Sequence, residues 1–388
     1  MKRVIAATAV ALLAVTALVA NSGGSAMAGA GAGVRLNEMQ VIGSHNSYHI
    51  EPPDLAPFID QLAYTHVPLP EQFSNQGVRQ IELDIFIDPA GTLWRPFGVP
   101  GYKVMHIEHV DEFATCETLV QCLSQVKGWS DDNDGHMPIA ILLESKDTID
   151  IPGGSDPLPI GPAELDALDD EILSVFSEDR ILRPDDVRGG RSTLEEAVLD
   201  EGWPEIDDIR GKVMFLLDNK RNEYRVGHPT LEGRVAFTPS FPGQPDAAFV
   251  KRNDPLGANL AEIQNLVSAG YVVRTRADEP VFQAQANDTT MRDAALASGA
   301  QWVSTDFPVP GIAARWNGST YVAQIPGGTP ARCNPVNAPP GCENTDIENL
   351  GFVPIPASPS PGNDPAANRA ANPSLALANP ATSPRFTG

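Results

Sequence analysis

Pro138-Ile139-Ala140-Ile141-Leu142-Leu143-Glu144 is an apolar run closed by a carboxylate. Five consecutive apolar residues leave no face for water. The stretch therefore reads as a strand buried on both sides, as in a parallel sheet covered by helices. Seven further runs have this character: residues 39–44, 78–86, 103–105, 212–217, 247–250, 271–274 and 301–304. Residues 234–238 compete with 247–250 for the sixth place. Helical patterns lie between several of these runs. Leu165, Leu168, Ile172 and Val175 recur at helical spacing within residues 163–176, and residues 194–199 follow a Ser192/Thr193 cap. Residues 258–269 end at Gly270 and residues 289–297 end near Gly299, as helices stopped by glycine do. Eight such units predict an α/β fold, a (β/α)8 TIM barrel, in one domain over residues 34–326. No G-x-G-x-x-G follows any strand, which disfavours an open doubly wound sheet.

The chemistry is written at the strand ends. The first strand runs into Gly43-Ser44-His45-Asn46-Ser47-Tyr48, and the second carries Glu82-Leu83-Asp84, whose carboxylates share one face of the strand. The third ends at His106, the fourth at Glu144 and the fifth at Asp218. In a β/α barrel these ends converge on one mouth. Two histidines, an amide and four acids are thus expected in a single cavity. Burying unpaired carboxylates is costly, so a cation must hold them. An all-oxygen donor set, without cysteine or a fixed histidine pair, favours Ca2+ or Mg2+ over zinc. Asn46, Glu82, Asp84 and Glu144 supply such a set and leave room for water and substrate oxygens. The histidines suit proton transfer near neutral pH.

Outside the barrel the chain reads differently. Lys2 and Arg3 precede an apolar run over residues 4–20, and Ala26-Met27-Ala28 forms a cleavage-type site, so residues 1–28 read as a secretory signal peptide. The mature protein is expected to be extracellular. Cys116 with Cys122 and Cys333 with Cys342 form two local pairs, and an oxidising destination favours disulfides. Residues 327–353 read as a disulfide-stapled extension, and residues 354–388 as a disordered tail rich in proline and alanine. The formal net charge of −23 excludes nucleic acid as a partner and repels anionic surfaces. An anionic substrate would need clustered arginines or a bound cation as mediator.

Ser44-His45-Asn46, Glu82-Leu83-Asp84, His106 and Glu144 together resemble the catalytic barrel of phosphoinositide-specific phospholipases C. The chain is most similar to the calcium-dependent bacterial subgroup of the Streptomyces type, within the TIM-barrel phosphodiesterases. The resemblance covers residues 37–308, including 271–279 (YVVRTRADE) and 298–308 (SGAQWVSTDFP). It implies His45 and His106 as catalytic histidines and Asn46, Glu82, Asp84 and Glu144 as calcium ligands. It also implies that the inositol 2-hydroxyl attacks phosphorus, releasing diacylglycerol and an inositol 1,2-cyclic phosphate. His106 would protonate the leaving oxygen, whereas the base is either His45 or a ligand carboxylate.

Two departures stand out. Ile107-Glu108-His109 follows His106 where eukaryotic relatives have glycine, which makes His109 a rival to His106. The fifth strand carries Asp218 where they place a phosphate-binding lysine, a role left to Lys220 or Lys146. Arg274 and Arg276 are candidates to grip phosphate or ring hydroxyls, or else pair with Asp278 or Glu279. Ser130-Asp131-Asp132-Asn133-Asp134-Gly135 lacks the acidic ends of a calcium loop and reads as a solvated turn. Trp94, Tyr102 and Trp129 are assigned to core packing rather than to a membrane face. The expected partner is phosphatidylinositol at a membrane surface, met by a monomer. The alternatives are a glycerophosphodiester phosphodiesterase and an inactive barrel that binds a headgroup.

Overall fold

The computed structural model describes residues 33–55, 59–147, 157–279 and 281–348. The expected leader at 1–28 and the expected tail at 354–388 lie outside the described residues. Ten strands are present: β1 (Met39–Ser44), β2 (Gln80–Asp88), β3 (Gly101–Val104), β4 (Ile139–Ser145), β5 (Val213–Leu217), β6 (Ala236–Phe237), β7 (Phe249–Lys251), β8 (Val272–Arg276), β9 (Trp302–Thr305) and β10 (Ala331–Cys333). Eight of them run parallel in the order β6-β5-β4-β2-β1-β9-β8-β7. A parallel bridge between Pro239 and Phe249 spans the remaining seam, where Ser240 N–H donates to Phe249 O at 2.9 Å. The result is a nearly closed TIM barrel. Ile139 through Leu143 are fully buried, as the unbroken apolar run demands.

Two strand assignments need correction. Residues 103–105 are not a barrel stave. Lys103 and Val104 belong to β3, which pairs antiparallel with β2 from Ile85↔Val104 to Asp88↔Gly101, and Met105 follows it. β2 is long enough to run past the rim, turn through residues 89–100 and return. The turn requires Gly91 at φ +68°, because a Cβ there would lie 2.6 Å from the Val99 backbone. Strand direction cannot be read from a three-residue apolar run. The two rivals for the sixth place are both staves, as β6 and β7, each too short for a clear pattern.

The helices follow their signals. Thr193 caps Leu194–Asp200 by accepting from Glu196 N–H at 3.1 Å, and Gly270 ends Ala258–Ala269 at φ 108°. Pro162–Val175 and Thr290–Ala297 stand within a residue of expectation. Residues 130–135 are only partly a turn. Ser130 is buried in the last turn of the helix Leu119–Asp132 and accepts from Arg180 Nη2 at 2.8 Å. Trp94, Tyr102 and Trp129 are buried, in keeping with a packing role. Both disulfides form as paired in the sequence.

The end of the barrel opposite the mouth is closed by the segment that follows β9. β10 pairs antiparallel with Met39–Val41 of β1, and Ile347 enters the main core. Arg79 seals the junction through a bidentate pair with Glu348, at 2.7 and 2.5 Å. The segment 331–348 is thus packed into the barrel's base rather than appended to it.

Candidate active site

The site grows from the turn after β1. Asn46 adopts φ 42°, a left-handed conformation that asparagine tolerates better than most residues. The turn is stitched to β2, since Ser47 N–H donates to Glu82 O at 2.9 Å and Ser47 Oγ accepts from Glu82 N–H at 2.8 Å. Asn46 Nδ2 donates to Tyr64 Oη at 3.2 Å, which directs the amide and leaves Oδ1 as its oxygen donor.

His45 is held from the neighbouring strand β9. Its Nδ1 lies 2.8 Å from Asp306 Oδ1, just past β9, while its Nε2 is 3.9 Å from Glu82 Oε1. Arg276 Nη2 stands 3.4 Å from His45 Nδ1 and 3.9 Å from Asp306 Oδ2. Burial and the Arg276 charge together hold the His45 pKa below its usual value, against the pull of Asp306. Burial raises the Asp306 pKa, but His45 and Arg276 outweigh it and keep the carboxylate ionised. A carboxylate only accepts, so the Nδ1 proton points at Asp306 and the Nε2 lone pair faces the mouth.

His106 reaches the same mouth from above, on the return from β3. Met105 N–H contacts Asp84 O at 3.4 Å, and His106 Nδ1 lies 2.8 Å from Asp111 Oδ2. The same oxygen is 2.8 Å from Nε2 of buried His49, whose Nδ1 donates to Tyr64 O at 3.0 Å. Burial raises the Asp111 pKa, but the hydrogen bonds from His106 and His49 bring it below its usual value. His109 takes no part; its ring is exposed and its Nδ1 lies 3.4 Å from Glu112 Oε1.

Between the histidines lie Glu82, Asp84 and Glu144. The β2–β4 register pairs Asp84 directly with Glu144, and one oxygen from each of the three acids falls within 4.8 Å of the others. Burial lifts Asp84 to about 7 and raises Glu82 as well, the latter opposed by Arg274. With Asn46 in the adjoining turn, this is a hard, all-oxygen set that fits calcium. All four cysteines are in disulfides, so no thiolate competes.

The four basic candidates are placed unequally. Lys146 Nζ bridges Asp84 Oδ2 at 3.0 Å and Glu144 Oε1 at 2.9 Å. Arg274 is almost wholly buried and binds Glu82 Oε2 at 2.5 Å and Asn253 Oδ1 at 2.5 Å. Its carboxylate partner is therefore Glu82, not Asp278 or Glu279. Arg276 faces Asp306 and His45. Lys220 is drawn to Asp147 and lines a cavity of about 420 Å³ with Asp218, Arg221 and Lys251. Asp218 is neutralised by Lys251 Nζ at 2.6 Å and stands apart from the carboxylate cluster. Sequence reasoning missed Asp306, Asp111 and Lys251. Asp306 follows a strand end as the other acids do, whereas Asp111 and Lys251 carry no comparable signal.

The sequence matches a family model described as phosphoinositide phospholipase C, Ca2+-dependent, over residues 34–335. No curated protein matches it at a significant level. Among solved structures, it resembles the apo form of a calcium-dependent phosphoinositol-specific phospholipase C from the Gram-negative bacterium Pseudomonas sp.. The TM-score is 0.51 at 18% identity, over 78% of this chain and 96% of that one. The myo-inositol complex of that protein gives 0.50 at 18% identity, over 77% and 95%. A Ca2+-dependent phosphatidylinositol-specific phospholipase C from Streptomyces antibioticus gives 0.48 at 20% identity, over 71% and 95%.

Proposed function

Because this chain belongs to the Ca2+-dependent phosphoinositide phospholipase C family, we propose that it cleaves phosphatidylinositol to diacylglycerol and inositol 1,2-cyclic phosphate. One observation carries the reading. Two histidines flank a carboxylate cluster, and each has its Nδ1 engaged by a buried aspartate, Asp306 for His45 and Asp111 for His106. Each ring is thereby oriented with Nε2 toward the reaction. His45, kept neutral by burial and Arg276, takes the proton of the inositol 2-hydroxyl. His106 gives a proton to the departing glycerol oxygen. Arg276 faces the oxygens of the phosphodiester.

Asn46, Glu82, Asp84 and Glu144 would hold the calcium, which neutralises negative charge on phosphate and lowers the pKa of a nearby hydroxyl. The first step needs no water, because the 2-hydroxyl is already beside phosphorus, a large effective-concentration advantage.

A lipid surface suits the mouth. Phe97, 65% exposed, stands with Leu93 and Val99 on the turn between β2 and β3; Phe241 is exposed on the loop after β6, and Phe282 is exposed at the start of the short helix after β8. An apolar rim around a polar cavity fits a substrate whose headgroup enters while its chains stay in the bilayer. The leader and the two disulfides support release from the cell, where the protein would act as a monomer.

Phosphorus NMR of the products tests the reaction. The cyclic phosphate should appear first from phosphatidylinositol, chelator should abolish its formation, and phosphatidylcholine should be inert. Comparable hydrolysis of phosphatidylcholine or of glycerophosphodiesters would make water the nucleophile and remove the inositol reading.

A further inference from the structure

Lys146 occupies an unusual position among the basic residues of the mouth. Its ammonium lies 3.0 Å from Asp84 Oδ2 and 2.9 Å from Glu144 Oε1, spanning two of the three carboxylates that converge there. The third carboxylate, Glu82, is held by Arg274. With all three acids ionised, three carboxylates and two cations leave the cluster with one net negative charge. A divalent ion added to that cluster would leave an excess positive charge in a largely buried space, where electrostatic cost is high. One cation must leave.

The two cations differ in how readily they can do so. Arg274 is about 1% exposed, and its guanidinium is also fixed by Asn253 Oδ1 at 2.5 Å and Ser304 Oγ at 3.1 Å. The Lys146 side chain is 20% exposed, and among the described residues its ion pairs are with Asp84 and Glu144. Its backbone is anchored, with N–H donating to Ile85 O at 2.9 Å, so the four-carbon stem can swing while the strand end stays in place.

We propose that Lys146 is the site's exchangeable counter-ion: its ammonium holds Asp84 and Glu144 when calcium is absent and is displaced into the mouth when calcium binds. No proton changes hands; one cation replaces another on the same oxygens. Lys146 therefore sets calcium affinity by competition, and it keeps the acid cluster from repelling itself in the metal-free protein.

The inference rests on the proposed calcium ligands, and calorimetry with calcium alone separates the two. Wild type, Lys146→Met and Asp84→Asn are titrated as full-length protein. Competition predicts that Lys146→Met binds calcium at least about tenfold more tightly, since a like charge within a few ångströms has gone. A lysine that merely braces the ligands predicts the opposite sign. In chelator Lys146→Met should melt below wild type, and calcium should close the gap.

A second measurement uses wild type only and is indifferent to how the variant folds. Amine acetylation read by peptide mass spectrometry should label Lys146 several-fold faster with calcium than with chelator. Lys103, buried and bonded to the carbonyls of Pro96 and Val99, serves as the constant reference. Equal or weaker calcium binding by Lys146→Met, or labelling that ignores calcium, overturns the exchange. A calcium affinity that ignores Asp84→Asn overturns the ligand assignment and the exchange with it.

Discussion

At the closed end of the barrel Arg79 grips Glu348 through two contacts, whereas at the mouth Arg274 grips Glu82 through one. Both pairs are buried, and Arg79 lies only three positions before Glu82 in the sequence. Their surroundings differ. Nη1 of Arg79 donates to the carbonyls of Phe73 and Val78, at 2.9 and 2.8 Å, and its guanidinium stacks over Trp129. Arg274 leaves Nε without an acceptor, and Glu82 turns its other oxygen toward His45. The lower pair is complete and has nothing further to bind. The upper pair keeps an oxygen in reserve, which is what a calcium ligand requires. The same two residue types thus act as a fastener at one end and as part of a reactive cluster at the other.

The sharpest way to break this contrast is to remove one partner below. Glu348→Gln leaves the Arg79 charge buried and uncompensated, a change that costs about 3–5 kcal/mol in such pairs. Denaturant unfolding should show that loss, while turnover of the folded fraction stays near wild type. An unchanged unfolding midpoint would mean that the base is not sealed by this pair.

A pH titration of stability probes the mouth instead. His66 is buried, donates Nε2–H to His45 O at 2.9 Å and has no acceptor for a second proton on Nδ1. Burial lowers its pKa from 6.5 to about 4. Above pH 6.5 the folded and unfolded chains both carry neutral His66, and it contributes no pH dependence. Between 6.5 and 4 only the unfolded chain takes up the proton, so stability falls as the pH falls. The loss approaches ~3 kcal/mol below pH 4. His66→Asn should flatten the slope in that window.

The two ends were not equally legible in the sequence. At the mouth, chemistry-bearing residues follow strand ends, and a barrel brings strand ends together. The strand ends alone therefore group His45, Glu82, Asp84 and Glu144. His106 was grouped with them for the wrong topological reason, since it arrives on an antiparallel return strand and not on a stave. Asp111, the anchor of His106, is invisible because its pairing depends on a loop turning back within five residues. At the base, Arg79 and Glu348 are 269 positions apart, and nothing local in either segment announces their pairing. The short staves β6 and β7 were unclear for a different reason: two or three residues cannot display a period. Long-range ion pairs and very short strands are properties of packing, which pattern alone does not record.

The histidines allow a finer contrast between rings anchored by buried aspartates at the mouth and a solvent-exposed ring. His45→Ala and His106→Ala should each lower turnover at least ~10²-fold, the usual scale for losing a general base or acid, with calcium affinity little changed. His109→Ala is the smallest effect expected. That residue has the same functional group as His106 and lies three positions away, at the left-handed φ of 61°. Its ring is 58% exposed, and its contact with Glu112 at 3.4 Å is a surface pair worth at most ~1 kcal/mol. Turnover should stay within about twofold of wild type, because solvent-exposed side chains away from the reacting atoms rarely matter more. A large loss at His109 with tolerance at His106 would mean that the loop after β3 reorganises in the working enzyme. The Asp111 anchor would then belong to the resting state alone.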